Sequence, residues 1–89
     1  MRLWARTVKH NKQLAESVIE NYDWQKTRTE KVLEALQDAC TELDLPVPMW
    51  LDGNIKDFQR SGKTRFRTDS FIESVDFDYL EFSVLEDDY

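Results

Sequence analysis

Apolar and polar residues alternate over the first quarter of the chain. Leu3 and Ala5 fall in step with each other, and Trp4 and Val8 fall in the opposite phase. This period of two predicts strands over 2–9 and 13–22, joined at His10-Asn11-Lys12 as a β-hairpin. Asn tolerates the left-handed backbone that such a turn needs. A three-residue loop pairs Lys9 with Gln13, which sets Arg6 opposite Glu16 and Arg2 opposite Glu20. Opposed unlike charges favour this register. A two-residue loop would shift the pairing and lose both contacts. The favoured register groups Trp4, Val8, Leu14 and Val18 on the charged face and Leu3, Ala5, Ala15 and Ile19 on the other.

The period changes to 3.6 after residue 27. Thr27 and Glu30 fit a capping box opening a helix over 28–44. Leu33, Leu36, Cys40 and Leu43 form its apolar stripe, widened by Val32 and Ala39. Glu30, Glu34, Asp38 and Glu42 line the outer face. Pro46 ends it, because the residue before a proline avoids helical geometry. Asp44 stands at the negative end of the helix dipole, where a carboxylate is unfavourable. Residues 46–51 read as an extended connector. Asp52 caps a short helix over 53–60 that Ile55 and Phe58 would pin to the core. Gly62 closes it in the left-handed conformation.

Lys63 to Thr68 then reads as a strand, with Arg65 and Arg67 on one side and Phe66 on the other. Residues 69–76 fit either a strand or an irregular turn. Residues 78–86 form a last strand with Leu80, Phe82 and Val84 inward and Glu81 and Ser83 outward. Asp87, Asp88 and Tyr89 read as a frayed tail. The resulting fold class is α+β: an antiparallel sheet of three or four strands, made of an N-terminal hairpin and C-terminal strands. One long amphipathic helix lies on one face, with a short second helix.

The run Trp50-Leu51-Asp52, Asn54-Ile55, Asp57-Phe58, Lys63-Thr64-Arg65-Phe66, Phe71-Ile72-Glu73 and Asp76-Phe77-Asp78-Tyr79-Leu80-Glu81 resembles a family of small uncharacterised bacterial proteins from Gram-positive anaerobes. The resemblance runs over most of the chain. It implies a bacterial cytoplasmic protein. The family has no assigned activity, so the resemblance marks no functional residue.

Composition supports one folded unit. Eighty-nine residues make one domain. A 40% hydrophobic fraction with eleven aromatic residues argues against disorder. No apolar run approaches the ~20 residues that span a bilayer. Met1-Arg2-Leu3-Trp4-Ala5-Arg6 lacks a signal core. One Cys cannot form an internal disulfide. A cytoplasmic location follows as the expectation.

The net charge of -6 is unevenly placed. Residues 1–22 carry +2, residues 23–45 carry -3, residues 46–72 carry +2 and residues 73–89 carry -7. The simplest use of that arrangement is internal, with the acidic end lying near the basic 60–67 segment and neutralising it. Salt or low pH should then loosen residues 78–86 first.

Candidate chemistry is sparse. Ser61-Gly62-Lys63-Thr64 copies the end of a phosphate-binding loop. The first glycine of that motif falls on Asp57, and the helix and strand stand in the wrong order. Arg60, Lys63, Arg65 and Arg67 with Phe66 form a basic cluster that would contact phosphate or nucleic acid. The net charge disfavours nucleic acid, since affinity there comes from phosphate neutralisation. Glu73, Asp76, Asp78 and Glu81 lack the central Gly and fixed steps of a calcium loop. One Cys and one His cannot complete a zinc site. His10 sits at a turn with no nucleophile nearby, and Cys40 belongs to the helix stripe. Carboxylates are plentiful enough for a hydrolase, but no spacing singles out a pair. No catalytic residue, metal ligand or cofactor is assigned, and the chain does not read as an enzyme.

What remains is a sheet face. One helix of this length covers one side of a small sheet. If the connector and short helix leave the second side open, Trp4, Val8, Val18 and Tyr22 are contact anchors for a protein partner or a second copy. If they fold back over it, that face belongs to the core. The leading reading is a non-catalytic interaction module, either a homodimer or an adaptor. The alternative is phosphate or nucleic-acid contact through Arg60, Lys63, Arg65 and Arg67. No membrane partner is expected.

Overall fold

A computed structural model describes residues 1–88. Strands β1 (Arg2–Lys9) and β2 (Lys12–Glu20) form the hairpin, followed by helices α1 (Arg28–Leu43) and α2 (Asp52–Ser61). Strand β3 (Lys63–Arg67), a 3-10 turn (Thr68–Ser70) and strand β4 (Tyr79–Glu86) complete the chain. The four strands form one antiparallel sheet in the order β2-β1-β4-β3. This is the α+β class that the patterning predicts.

The hairpin keeps the expected ion-pair register by an unexpected route. Arg2 lies opposite Glu20 and Arg6 opposite Glu16. The loop nonetheless has two residues, since Lys9 pairs with Lys12 and both His10 (φ 51°) and Asn11 (φ 63°) are left-handed. A two-residue turn of that kind matches the right-handed twist of the strands. A bulge reconciles turn and register: Thr7 pairs with Ala15, Val8 with Gln13, and Leu14 is the extra residue.

Helix α1 is capped as expected, with the Thr27 hydroxyl accepting from the Glu30 N–H and Glu30 accepting from the Thr27 N–H. Its buried stripe is Val32, Ala35, Leu36, Ala39 and Cys40. Leu33 is 45% exposed. The stripe is rotated by about one position from the one the sequence suggests, taking in Ala35 and leaving Leu33 out. At its end, Asp44 is left-handed (φ 56°), and the Leu45 N–H reaches the Cys40 carbonyl at 2.8 Å. Asp44 is therefore a terminating residue in a position that glycine fills best. Asp44→Gly should raise stability by ~0.5–1 kcal/mol, by relieving left-handed strain and removing a carboxylate from the helix C-terminus. A thermal melt checks this, with a rise of a few degrees expected.

Helix α2 begins one residue earlier than predicted. Its start is held by Asn54, whose side-chain carbonyl accepts from the Leu51 N–H at 3.1 Å. The Asn54 amide donates to the Thr64 hydroxyl at 2.9 Å and the Arg65 carbonyl at 3.0 Å, tying α2 to β3. Asp52 lies in the first turn, beside the positive helix end. Gly62 ends the helix at φ 70°, as expected. Ile55 is exposed rather than pinned, and Phe58 alone of that pair enters the core.

Strands β2 and β3 are opposite edges of the sheet, so the chain between them must cross it. It does so on one side. α1 packs on β2 and β1, and α2 packs beside β3. Trp50 joins the two helices to the sheet, meeting Phe66 edge-on at 4.8 Å and Phe58 at 5.4 Å. The core holds Leu3, Ala5 and Ile19 of the hairpin, Phe66 of β3, and Leu80 and Phe82 of β4. The ambiguous stretch 69–76 is irregular apart from the end of the 3-10 turn, and Phe71 packs edge-on against Phe77 at 5.4 Å.

The acidic end departs most from expectation. Among the described residues of that end, Glu81 alone forms an ion pair with the basic strand. Asp76 pairs with Lys9 at 2.6 Å, and Asp78 accepts from the His10 N–H at 2.9 Å. Asp87 holds Arg28, while Asp88 holds the Met1 ammonium and the buried Lys31. Asp87 and Asp88 are thus tied down, contrary to a frayed reading; Tyr89 lies outside the described residues. β4 is a central strand, paired with β1 along its length and with β3 over residues 79–83.

Candidate functional site

The second sheet face carries no helix. Side chains on paired antiparallel positions share a face. Arg2, Trp4 and Arg6 of β1 therefore stand beside Glu16, Val18 and Glu20 of β2. On the other flank they stand beside Glu81, Ser83 and Glu86 of β4, and beyond those lie Lys63, Arg65 and Arg67 of β3. Two of the expected contact anchors, Trp4 and Val18, and most of the basic cluster share this surface. Along the sequence the two groups stand far apart, as separate candidate sites.

Glu81 is the centre of the face. It points away from the core yet is only 2% exposed. Arg6 reaches one of its oxygens at 3.0 Å, and Arg65 reaches the other at 2.9 Å. Burial alone would push this carboxyl up. The hydrogen bonds from Arg65 and Arg6 outweigh that and hold it below its ordinary value. No local pattern marks this arrangement, because Glu81 meets Arg6 across 75 positions of chain.

Each arginine also lies on an aromatic ring. The Arg6 guanidinium is 4.9 Å from the Trp4 ring centre, and Arg65 is 4.5 Å from that of Tyr79. Arg67 approaches the same Tyr79 ring at 5.8 Å. Such contacts add a cation–π attraction to the ion pairs on this face. The Trp4 indole N–H donates to Glu16 at 3.0 Å, which Gln13 also contacts. Arg2 lies 3.4 Å from Glu20 and 3.6 Å from Glu86.

The expected anchors divide. Trp4 is half-buried on the face and Val18 is 42% exposed there. Val8 is 4% exposed and offers a partner almost nothing. Tyr22 lies beyond the end of β2 and lines a separate polar cleft with Trp24, Lys31 and Asp88. Arg60 of the basic cluster sits on α2 and pairs with Asp57 at 3.0 Å. Lys63 and Arg67 have no ion pair among the described residues. The phosphate-loop resemblance has no geometry behind it, since Gly62 ends a helix and the Thr64 hydroxyl is bonded inward to Asn54.

Other chemistry is dispersed. Glu73, Asp76, Asp78 and Glu81 go to different partners or to none, and no group of three His, Cys, Asp or Glu among the described residues could hold a metal ion. Burial pushes the Cys40 thiol up to about 11, so it is protonated at neutral pH. An apolar cleft of about 330 Å³ lies between α1 and α2, lined by Val32, Leu33, Trp50, Ile55 and Phe58 with Arg28 at its side. Arg28 donates from Nε and Nη2 to Asp87 Oδ2 at 3.1 and 3.0 Å, and from Nε to Oδ1 at 3.4 Å. No helix among the described residues is long and apolar enough to cross a membrane.

Comparison with known proteins adds no name to this surface: no family model, no curated protein and no solved structure matches the chain.

Proposed function

We propose that the chain is a small non-catalytic interaction module that takes up a protein partner on the open face of its sheet. One observation carries this reading: both helices and their connector crowd onto the opposite face, leaving a four-strand platform free. Trp4, Tyr79 and the arginines stacked on them are residue types enriched at protein contacts. The resemblance noted in the sequence adds a bacterial cytoplasmic setting to the proposal.

Trp4→Glu tests it. The variant should keep its helical circular dichroism and lose proteins that the wild type captures, while Leu33→Glu on the helical side keeps them. Equal capture by wild type and Trp4→Glu would overturn the reading.

A second reading has one specific observation behind it, the placing of Arg65 and Arg67 against Tyr79. A stacked aromatic among cations can hold single-stranded nucleic acid. Against it, Glu81 already occupies Arg65, and the whole face nets only +1, from five basic and four acidic residues. Titration of labelled RNA and DNA at low salt should show no binding. Binding that Arg65→Ala with Arg67→Ala abolishes would favour this second reading instead.

A further inference from the structure

The charges on the open face are ordered. Reading across the sheet from β2 to β3, one rung runs Glu16, Arg6, Glu81, Arg65. The signs alternate: minus, plus, minus, plus. Read backwards, every sign is reversed. Along this rung the signs are therefore complementary when a second copy is laid on it with strand order reversed. The neighbouring rung runs Val18, Trp4, Ser83, Lys63. Reversal sets the Trp4 indole over the small Ser83 of the partner and sets Val18 over the alkyl stem of the partner's Lys63.

We infer that the occupant of the open face is a second copy of this chain, stacked sheet on sheet about a two-fold axis parallel to the strands. This rests on the reading that the open face binds protein. A two-fold axis along the strands lays β2 over the partner's β3 and β1 over the partner's β4. It then places the exposed Glu16 against the partner's Arg65, twice, while Glu81 stays buried between Arg6 and Arg65 of its own chain. An axis across the strands would lay β2 over β2 and β3 over β3, with like charges facing. Aligned packing at ~10 Å between sheets is the ordinary geometry of a β-sandwich. Isologous contacts of this kind close on themselves and make dimers rather than fibres.

The size of the face sets the strength. Strands ~4.8 Å apart and residues ~3.4 Å apart give a surface of roughly 19 by 20 Å. Two such faces bury about 760 Å² in projection, below the ~1,000 Å² of a stable specific interface, so the contact is a weak one. The dissociation constant should lie on the order of 10–100 μM and rise with ionic strength.

Sedimentation equilibrium from micromolar to millimolar concentration tests this, on the full chain at low and high salt. A monomer–dimer equilibrium is expected, weakened on the order of 100-fold by Glu16→Arg, which turns two attractions into two repulsions. Cross-linking fixes the orientation without disturbing the charges of β1 and β4. Val18→Cys and Lys63→Cys place thiols on exposed edge positions, and buried Cys40 stays unreactive. A short bis-maleimide should join the two variants when mixed and leave each one alone unlinked. A monomer at every concentration, a dimer indifferent to Glu16→Arg, or Val18→Cys linking to itself would each overturn the inference. If a monomeric wild type captures another protein through Trp4, the interaction reading stands and the second copy is the wrong occupant. Nucleic-acid binding that removes the dimer signal would overturn it as well.

Discussion

Phe82→Ala should cost about 3–5 kcal/mol of stability, the range for emptying a fully buried phenylalanine site. Phe82 is the point where all layers meet. It is completely buried on central strand β4, stacked on Phe58 of α2 at 5.7 Å and edge-on to Trp50 at 6.3 Å. Its sheet neighbours are Ala5 and Thr64. Neither is large enough to fill the space a phenylalanine leaves. A domain of this size has only ~5–10 kcal/mol in total, so the variant should be close to unfolding at 37 °C. Each kcal/mol is worth ~4–8 °C in a domain of 60–100 residues, so the melting temperature should fall by ~15 °C or more. Ile72→Ala is the control: that side chain is 87% exposed, and the change should stay within ~0.5 kcal/mol. A Phe82→Ala protein that melts with the wild type would show that the two helices do not share this core.

Glu81→Ala should cost about 2–3 kcal/mol. Removing one partner from a fully buried ion pair costs ~3–5 kcal/mol, because the remaining charge is stranded. Here the Arg6 and Arg65 side chains are 28% and 45% exposed, so water takes up part of their charge and the cost is lower. Adding Arg65→Ala to Glu81→Ala should then be cheaper than Arg65→Ala in the wild type, with a coupling of ~1–2 kcal/mol. Urea unfolding of the four proteins measures it, and strict additivity would mean that the two charges do not interact.

The same carboxylate governs acid behaviour. Its value is depressed in the folded state, and so are those of Asp76 beside Lys9, Asp87 beside Arg28, and Asp88 beside Lys31 and the Met1 ammonium. A depressed carboxyl contributes stability that is present above the unfolded value and lost as pH falls through the folded one. Stability should therefore hold from pH 7 to about pH 5 and decline below about 4, the ordinary range of Asp and Glu. Glu81→Ala should decline less steeply, having one titrating contact fewer.

Much of the fold is written locally. Period-two alternation marks β1, β2, β3 and β4. The Thr27-Glu30 capping box and Pro46 bracket α1, and Gly62 ends α2. These features depend on contacts within a few residues, so composition and spacing suffice to place them. The hairpin register was legible for a related reason, since Arg2 and Arg6 find Glu20 and Glu16 on the adjoining strand. The bulge at Leu14 was not, because it follows from a contest between turn geometry and pairing that only backbone coordinates resolve.

The site was legible only in fragments. Trp4 and Val18 stood out as exposed apolar positions, and Arg65 and Arg67 as alternating cations. Their union on one surface depends on β1 and β4 lying side by side, which joins residues 2–8 to 79–86. No local pattern specifies that pairing. The acidic end shows the limit most clearly. Seventeen residues with seven acids and no base look like a single charged patch. Among the described residues most of those acids are spread over β1, the hairpin turn, α1 and the N-terminus, and Glu81 alone pairs with the basic strand.

The sequence by itself determined the elements, their order and the sign of each side chain, because those are set by near neighbours and by residue chemistry. The tertiary structure alone decided that β4 lies inside the sheet, that both helices share one face, and that Glu81 sits buried between two arginines. Those outcomes depend on which distant strands pair and on which side the β2–β3 crossing passes, and both are settled by burying the aromatic core as a whole.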